Sequence, residues 1–365
     1  MNILVTGSKG FIGKNLIERL LRIENIRVYE FDKENSLNEI ESYINDIDFI
    51  FHFAGVNRPK KVSDFYEGNN GLTKDIIKII ENNHRKIPIL ISSSIQAEND
   101  NDYGKSKFKS EELLKKYSKD NNVEVFIYRL PNVFGKWSRP NYNSVIATWC
   151  YNITHDLGIV VNDENTMLNL VYIDDVVEQF IKHLDKKDIK TEISPIYKKT
   201  LGEIKNLLNQ FKESRTNLII PRVGNGFERA LYSTYLSYLP TDKFSYEING
   251  YSDERGTFYE LLKTFDSGQI SISTSKPGVT RGNHYHNSKN EKFLVIKGKA
   301  VIKLRKIDTQ EEIVYNVSDD RMEIVDMIPG YTHSITNIGN TEMVLLIWAN
   351  EQFDREKPDT YYQEV

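Results

Sequence analysis

The chain has 365 residues, 39% hydrophobic and 27% charged, with a formal net charge of −4. That length exceeds one ordinary core and suits two domains, while the absence of a long basic run argues against nucleic acid or an anionic membrane as partner. No segment approaches the ~20 apolar residues of a membrane span, no leader precedes Ile3-Leu4-Val5, and the lone Cys150 has no internal disulfide partner, so the expected setting is a reducing cytoplasm.

In chain order, a strand at Asn2–Thr6 runs into Thr6-Gly7-Ser8-Lys9-Gly10-Phe11-Ile12-Gly13, and an amphipathic helix follows over 14–22. Glycines allow a tight turn and close approach of a ligand, and a helix N-terminus offers free N–H groups, so this loop suits a pyrophosphate. The spacing is Gly-x2-Gly-x2-Gly rather than the commoner Gly-x-Gly-x2-Gly. A second strand, Arg27–Phe31, ends at Asp32, nineteen residues past the last glycine. A carboxylate there accepts the adenosine ribose hydroxyl of NAD and repels the extra phosphate of NADP, whereas Lys33 beside it favours that phosphate. The residues leave the cofactor choice open.

Strands are expected next at 48–53, 88–93 and 123–130, with helices at Leu72–Asn82, 106–118 and 201–211. Alternating strands and helices imply right-handed crossovers and a parallel sheet covered on both faces. Ser92-Ser93-Ser94 ends one strand. Downstream, Tyr103 and Lys107 are four apart and share a helix face. An ammonium beside a phenol favours phenolate and makes Tyr103 a better proton donor to a carbonyl receiving hydride. The region up to about residue 240 resembles the nucleotide-sugar branch of the extended short-chain dehydrogenase/reductases. The resemblance rests on the glycine loop, His52-Phe53-Ala54-Gly55, the serine run, Tyr103-x3-Lys107, Arg129-Leu130-Pro131-Asn132-Val133-Phe134-Gly135 and Val171-Tyr172-Ile173-Asp174-Asp175-Val176. It implies Ser94, Tyr103 and Lys107 as catalytic residues. It also implies a dinucleotide held by Gly7, Lys9, Gly10, Phe11, Ile12, Gly13, Asp32, Lys33, Phe53, Ala54 and Gly55, together with Tyr103 and Lys107. The segment after residue 135, which caps the sugar in that family, is short here.

Beyond Tyr238-Leu239-Pro240-Thr241-Asp242 the rhythm changes to short β-type runs at 269–274, 292–296, 300–304, 311–317, 321–327 and 344–348, broken by Pro-Gly and Lys-Gly turns. These read as a small antiparallel barrel or jelly roll, and the expected domains are 1–243 and 244–365. His284 and His286 point to one side of a strand, Glu291 returns from the next, and His333 comes from later in the chain. Four such ligands suit Zn2+ or another divalent transition metal.

This half resembles the cupins. Asp253-Glu254-Arg255-Gly256-Thr257-Phe258 and Val279-Thr280-Arg281-Gly282-Asn283-His284-Tyr285 further resemble deoxysugar-nucleotide 3,5-epimerases. The epimerase pattern makes His284 the base and the cupin pattern makes it a ligand; a ligating nitrogen has no free lone pair, so His284 is taken as ligand and the base is left open. The domain order as a whole resembles the bifunctional capsular polysaccharide synthesis enzymes. That likeness implies a Rossmann-type sheet followed by a cupin barrel, a homodimer, NADPH with NADH as the alternative, and a UDP-4-keto-6-deoxy-N-acetylhexosamine substrate. The cupin would epimerise C3 and the reductase would then reduce C4, giving a UDP-6-deoxy-talosamine precursor of UDP-N-acetyl-L-fucosamine. The competing readings are a reductase with a structural cupin and a dinucleotide-sensing binding protein.

Overall fold

The first strands form where apolar runs are short, continuous and bounded by glycine or polar turns. In chain order they and their helices are β1 (Asn2–Thr6), α1 (Phe11–Leu20), β2 (Arg27–Phe31), α2 (Leu37–Tyr43), β3 (Phe49–His52), α3 (Leu72–Asn82), β4 (Ile89–Ser94), α4 (Asp102–Asn121) and β5 (Val125–Leu130). The five strands pair in parallel in the order β2-β1-β3-β4-β5. Central strands β1, β3 and β4 are buried almost throughout, as strands covered on both faces must be. Successive residues serve opposite faces: Ile3 and Val5 pack with Leu16, Leu20 and Phe180, whereas Leu4 packs with Ile40, Ile76, Ile80 and Tyr117.

The chain leaves β1 for β2 on one side and returns to β3 on the other, which opens a crevice at the carboxyl ends of β1 and β3. Helix α4 begins at Asp102, four residues before the helix expected from periodicity. The reason is local: Asn101 caps it, its Oδ1 accepting the Gly104 N–H at 2.7 Å. There follow β6 (Asn132–Phe134), α5 (Val145–Thr154), β7 (Met167–Tyr172), α6 (Ile173–Ile181), β8 (Tyr197–Thr200), α7 (Leu201–Asn217), β9 (Ile219–Ile220) and α8 (Gly226–Leu236). Strands β6, β7 and β8 make a small separate sheet that the sequence reading did not foresee.

The computed structural model describes residues 1–57, 61–185 and 190–365. They divide into one unit of Met1–Leu208 with Arg229–Leu239 and a second of Asn209–Glu228 with Pro240–Val365. The division is thus not a single cut at 243/244. Residues 209–228 join the second unit because β9 pairs in parallel with a strand there, and the Lys263 N–H donates to the Leu218 carbonyl at 2.7 Å.

The second unit contains β10 (Gly250–Asp253), β11 (Gly256–Thr264), β12 (Gln269–Ser275), β13 (Thr280–Tyr285), β14 (Glu291–Lys297), β15 (Lys299–Lys306), β16 (Glu312–Ser318), β17 (Ile324–Met327), β18 (Tyr331–Asn337), β19 (Met343–Ala349) and β20 (Tyr361–Tyr362). They form two sheets, β10-β11-β12-β19-β14-β17 and β16-β15-β18-β13-β20, whose paired neighbours are antiparallel; β9 attaches to β11. Phe293, Val295, Ile302, Leu304, Met327, Ile335 and Leu345 fill the interior. On β12 the buried positions are polar: Gln269, Ser271, Ser273 and Ser275 point inward.

One buried polar chain ties β1, β3 and α3 together. The Thr6 hydroxyl meets His52 Nδ1 at 2.7 Å, and His52 Nε2 meets the Thr73 hydroxyl at 2.9 Å. Thr73 donates onward to the Asn69 carbonyl at 2.7 Å, so it accepts from Nε2–H and leaves Nδ1 to accept from Thr6. Burial, reinforced by the Lys107 charge, pushes His52 down to about 3. A ring neutral when folded but protonated when unfolded contributes stability that is complete above about pH 6.5 and is lost as pH falls toward 3. We expect this ring to remove about 1.4 kcal/mol per pH unit through that window. Melts of wild type and His52→Asn between pH 7.5 and 4.5 check this: the variant is less stable at pH 7.5 and has a shallower acid slope.

Candidate active site and metal centre

The glycine loop sits at the crevice. Gly7 has φ +69°, and a Cβ there would stand 2.7 Å from the Ala54 nitrogen; a Cβ at Gly13 would stand 2.2 Å from the Gly7 carbonyl oxygen. Side chains at either position are excluded by backbone, which brings loop, α1 and the end of β3 into close contact. Gly10 is the N-cap of α1 and makes no side-chain capping bond, leaving the first-turn N–H groups for a ligand. Asp32 clamps the loop: one carboxylate oxygen accepts the Lys9 N–H at 2.8 Å and the other the Lys33 N–H at 2.8 Å. Lys9 Nζ pairs with Glu34 at 3.1 Å, and Lys33 Nζ lies 3.9 Å from the same carboxylate. Phe53, Ala54 and Gly55 follow β3 directly. Phe11 and Ile12 open α1 and pack on the core shared by β1 and α6. These features fit a dinucleotide.

Ser94 ends β4 and Tyr103 lies in the first turn of α4. Gly104 makes the approach possible, since a Cβ there would stand 2.1 Å from the Gln96 carbonyl oxygen. Lys107 is one turn on. It is 7% exposed, and its ammonium donates to the Ser92 carbonyl at 3.2 Å. A Cβ at Gly55 would lie 3.2 Å from Lys107 Nζ, so the lysine reaches the loop that follows β3. Burial holds Lys107 down to about 8, opposed by the Glu111 charge. Burial pushes the Tyr103 phenol up; the Ser94 side chain pulls it back and Tyr142 raises it further. The influence lowering Tyr103 is therefore Ser94, where the sequence reading had placed Lys107.

Glu111 and Arg129 were not singled out as site residues, although both flank the motif. Glu111 is 1% exposed on α4. It accepts the Ser93 hydroxyl at 2.5 Å and three hydrogen bonds from Arg129, at 3.0 and 3.2 Å from Nε and 2.7 Å from Nη2. The spacing Tyr103, Lys107, Glu111 at i, i+4, i+8 was the available signal.

In the second unit His284, His286, Glu291 and His333 come together, with one ligand atom from each within 4.8 Å of the others. His284 on β13 pairs across the ladder with His333 on β18, and Glu291 opens β14. The Glu291 carboxylate lies 3.4 Å from His286 Nε2 and 3.6 Å from His333 Nε2. Both ring nitrogens of His333 are buried without a hydrogen-bond partner, and burial, with the neighbouring imidazoles, pushes that ring down to about 3. His284 is likewise lowered by burial and by His286. Burial alone would raise the Glu291 carboxyl, but the adjoining His286, His333 and Lys289 outweigh it and hold it lowered. Orphaned buried nitrogens beside a carboxylate fit a borderline divalent cation.

A partner absent from the sequence reading is Asp359. Its carbonyl lies 2.6 Å from His286 Nδ1, which therefore carries the proton and leaves Nε2 facing Glu291. Its carboxylate accepts the N–H groups of Asn287, Ser288 and Lys289 at 3.1, 2.8 and 2.8 Å, and these donors hold its carboxyl well below the usual range. Strand β20 then pairs with His284 and Tyr285.

The family model described as NAD dependent epimerase/dehydratase matches residues 3–194, and the polysaccharide biosynthesis C-terminal domain matches residues 251–361. A UDP-2-acetamido-2,6-beta-L-arabino-hexul-4-ose reductase of Pseudomonas aeruginosa is 51% identical over 364 residues, 99% of this chain and 98% of that one. The crystal structure of the capsular polysaccharide assembling protein CapF from Staphylococcus aureus matches with a TM-score of 0.93 and 47% identity over the whole of both chains. UDP-glucuronic acid 4-epimerase of Bacillus cereus, solved with NAD, is 18% identical with a TM-score of 0.56, covering 65% of this chain and 98% of that one, and shares the fold alone. The chain thus belongs to the NAD dependent epimerase/dehydratase family and carries in the same polypeptide a polysaccharide biosynthesis C-terminal domain.

Proposed function

We propose that the chain makes a capsular sugar nucleotide in two steps. The C-terminal unit, read as a cupin, inverts C3 of a UDP-2-acetamido-2,6-dideoxy-4-hexulose, and the N-terminal unit then reduces the C4 ketone with NADPH to UDP-2-acetamido-2,6-dideoxy-talose. The observation that carries the reductase half is Ser94, Tyr103 and Lys107 gathered beside a backbone-lined dinucleotide crevice, in a chain 51% identical to a hexul-4-ose reductase.

Tyr103 delivers a proton to the C4 oxygen, which Ser94 holds in place, and Lys107 supplies positive charge beneath both. The nicotinamide supplies the hydride. Asp32 keeps the loop closed on the pyrophosphate through its bonds to Lys9 and Lys33. NADPH is preferred on the strength of the family resemblance; Lys9 and Lys33, beside Asp32, would be the cations for its extra phosphate, and the ratio of kcat/KM with NADPH and NADH tests the choice.

In the second unit His284, His286, Glu291 and His333 would hold a divalent ion. Such an ion would supply Lewis acidity toward the C4 ketone oxygen. A ketone at C4 acidifies the C3 hydrogen, and reduction removes that acidity, so epimerisation precedes hydride transfer. The homodimer rests on the same resemblance, and a monomer in sedimentation would remove it; the cytoplasmic setting rests on the lone, unpaired Cys150.

Proton NMR in D2O with the 4-keto substrate tests the sequence of steps. Deuterium should enter C3 without NADPH, and C4 should be reduced once NADPH is added; reduction without exchange would leave a single-activity reductase. Tyr103→Phe should lower NADPH oxidation about 10²–10⁴-fold while C3 exchange continues, and loss of both together would contradict separate sites. His286→Ala should bind Zn2+ at least about 10-fold more weakly and stop exchange, as read by chelator competition alongside NMR; full metal occupancy would remove it from the ligand set.

A further inference from the structure

Glu111 stands one helical turn beyond Lys107 and two beyond Tyr103, so the three share one face of α4. We propose that Glu111 is a positioning residue of the reductase site, tethering the strand end that presents Ser94 and setting a carboxylate on the helix face of Lys107. This rests on the reading of Ser94, Tyr103 and Lys107 given above.

The tether has two arms. Ser93, adjacent to Ser94, donates its hydroxyl to Glu111 Oε1 at 2.5 Å. Arg129, held by the same carboxylate, reaches with Nη1 to Glu98 Oε1 at 2.7 Å, at the end of the 3-10 turn Ile95–Glu98 that follows Ser94 directly. Residues on both sides of Ser94 are therefore fixed to one buried carboxylate. That 3-10 turn also packs against Gly104, next to Tyr103.

The electrostatic part follows from what surrounds Lys107. From β4 it meets the Ser92 carbonyl, and from the loop after β3, Gly55, beside which lies the uncharged Asn69 amide. From β3 comes His52, which burial keeps neutral. Its own helix contributes Tyr103 and Glu111, and β5 contributes Arg129 behind Glu111. Glu111 is the anion of that set, and its charge opposes the burial that draws Lys107 down.

The test is the pH profile of ketone reduction. In Glu111→Gln an amide oxygen can still accept from Ser93, but the charge is gone and Arg129 keeps only Glu98 as its ion-pair partner; both changes lower the proton affinity of Lys107. The alkaline limb of kcat/KM should move to lower pH by about one unit, whereas Glu111→Asp, which keeps the charge, leaves it in place. Should the glutamine variant not fold, Ser93→Ala removes one arm of the tether and no charge: kcat should fall about tenfold with the limb and KM unmoved, and wild-type kcat would overturn the tether. A glutamine variant whose profile superposes on wild type overturns the electrostatic role. Tyr103→Phe measured beside them separates the two levels. If it still reduces ketone, the catalytic assignment itself is at fault. If it is inactive while Glu111→Gln and Ser93→Ala behave as wild type, only the role of Glu111 falls.

Discussion

Backbone pressed on backbone at the ends of β1 and β3 is the constraint on which the N-terminal unit depends. Gly7 lies so close to Ala54 that no Cβ fits between them, and Gly13 is equally close to the Gly7 carbonyl. The crevice exists because the strand order reverses there, but its width is set by these two glycines. The candidate site residues of this unit are arranged about that point: Asp32 bonds to the loop on one side, and Lys107 reaches Gly55 on the other.

The two units handle buried polarity in different ways. In the first, the buried groups beside the candidate site are answered: His52 by two threonines, Glu111 by Ser93 and Arg129. Satisfied networks of this kind rigidify a core and fix its geometry. In the second, His333 is buried with both nitrogens unanswered. An imidazole in that condition costs stability unless something binds it, so packing alone does not account for its surroundings.

Local signals were legible in the sequence, and distant pairings were not. The glycine loop, the five parallel strands and the shared face of Tyr103 and Lys107 follow from periodicities of two and 3.6 and from glycine placement. The four candidate metal ligands were found because His-x-His fixes a strand face. The true start of α4 was missed although Asn101 announces it, since apolar periodicity begins only later. The sheet of β6, β7 and β8, the docking of β9 on β11, and the bond from Asp359 to His286 leave no periodic trace because they join residues far apart. Strand β12 was recognised as a strand, but its Ile270 and Ile272 face away from the interior while serines face in, the reverse of what hydropathy suggests.

The last residues of the chain bear on where a handle is placed on this protein. Asp359 reaches back 73 residues to orient His286, and Thr332, Arg305 and Asn283 all hydrogen-bond to residues 363–364. An affinity tag or surface linker fused after Val365 would pull on a segment that is itself part of the scaffolding of the histidine cluster. Immobilisation through that end would transmit mechanical load to an imidazole, so preparations that differ only in the C-terminal fusion would differ in the orientation of His286.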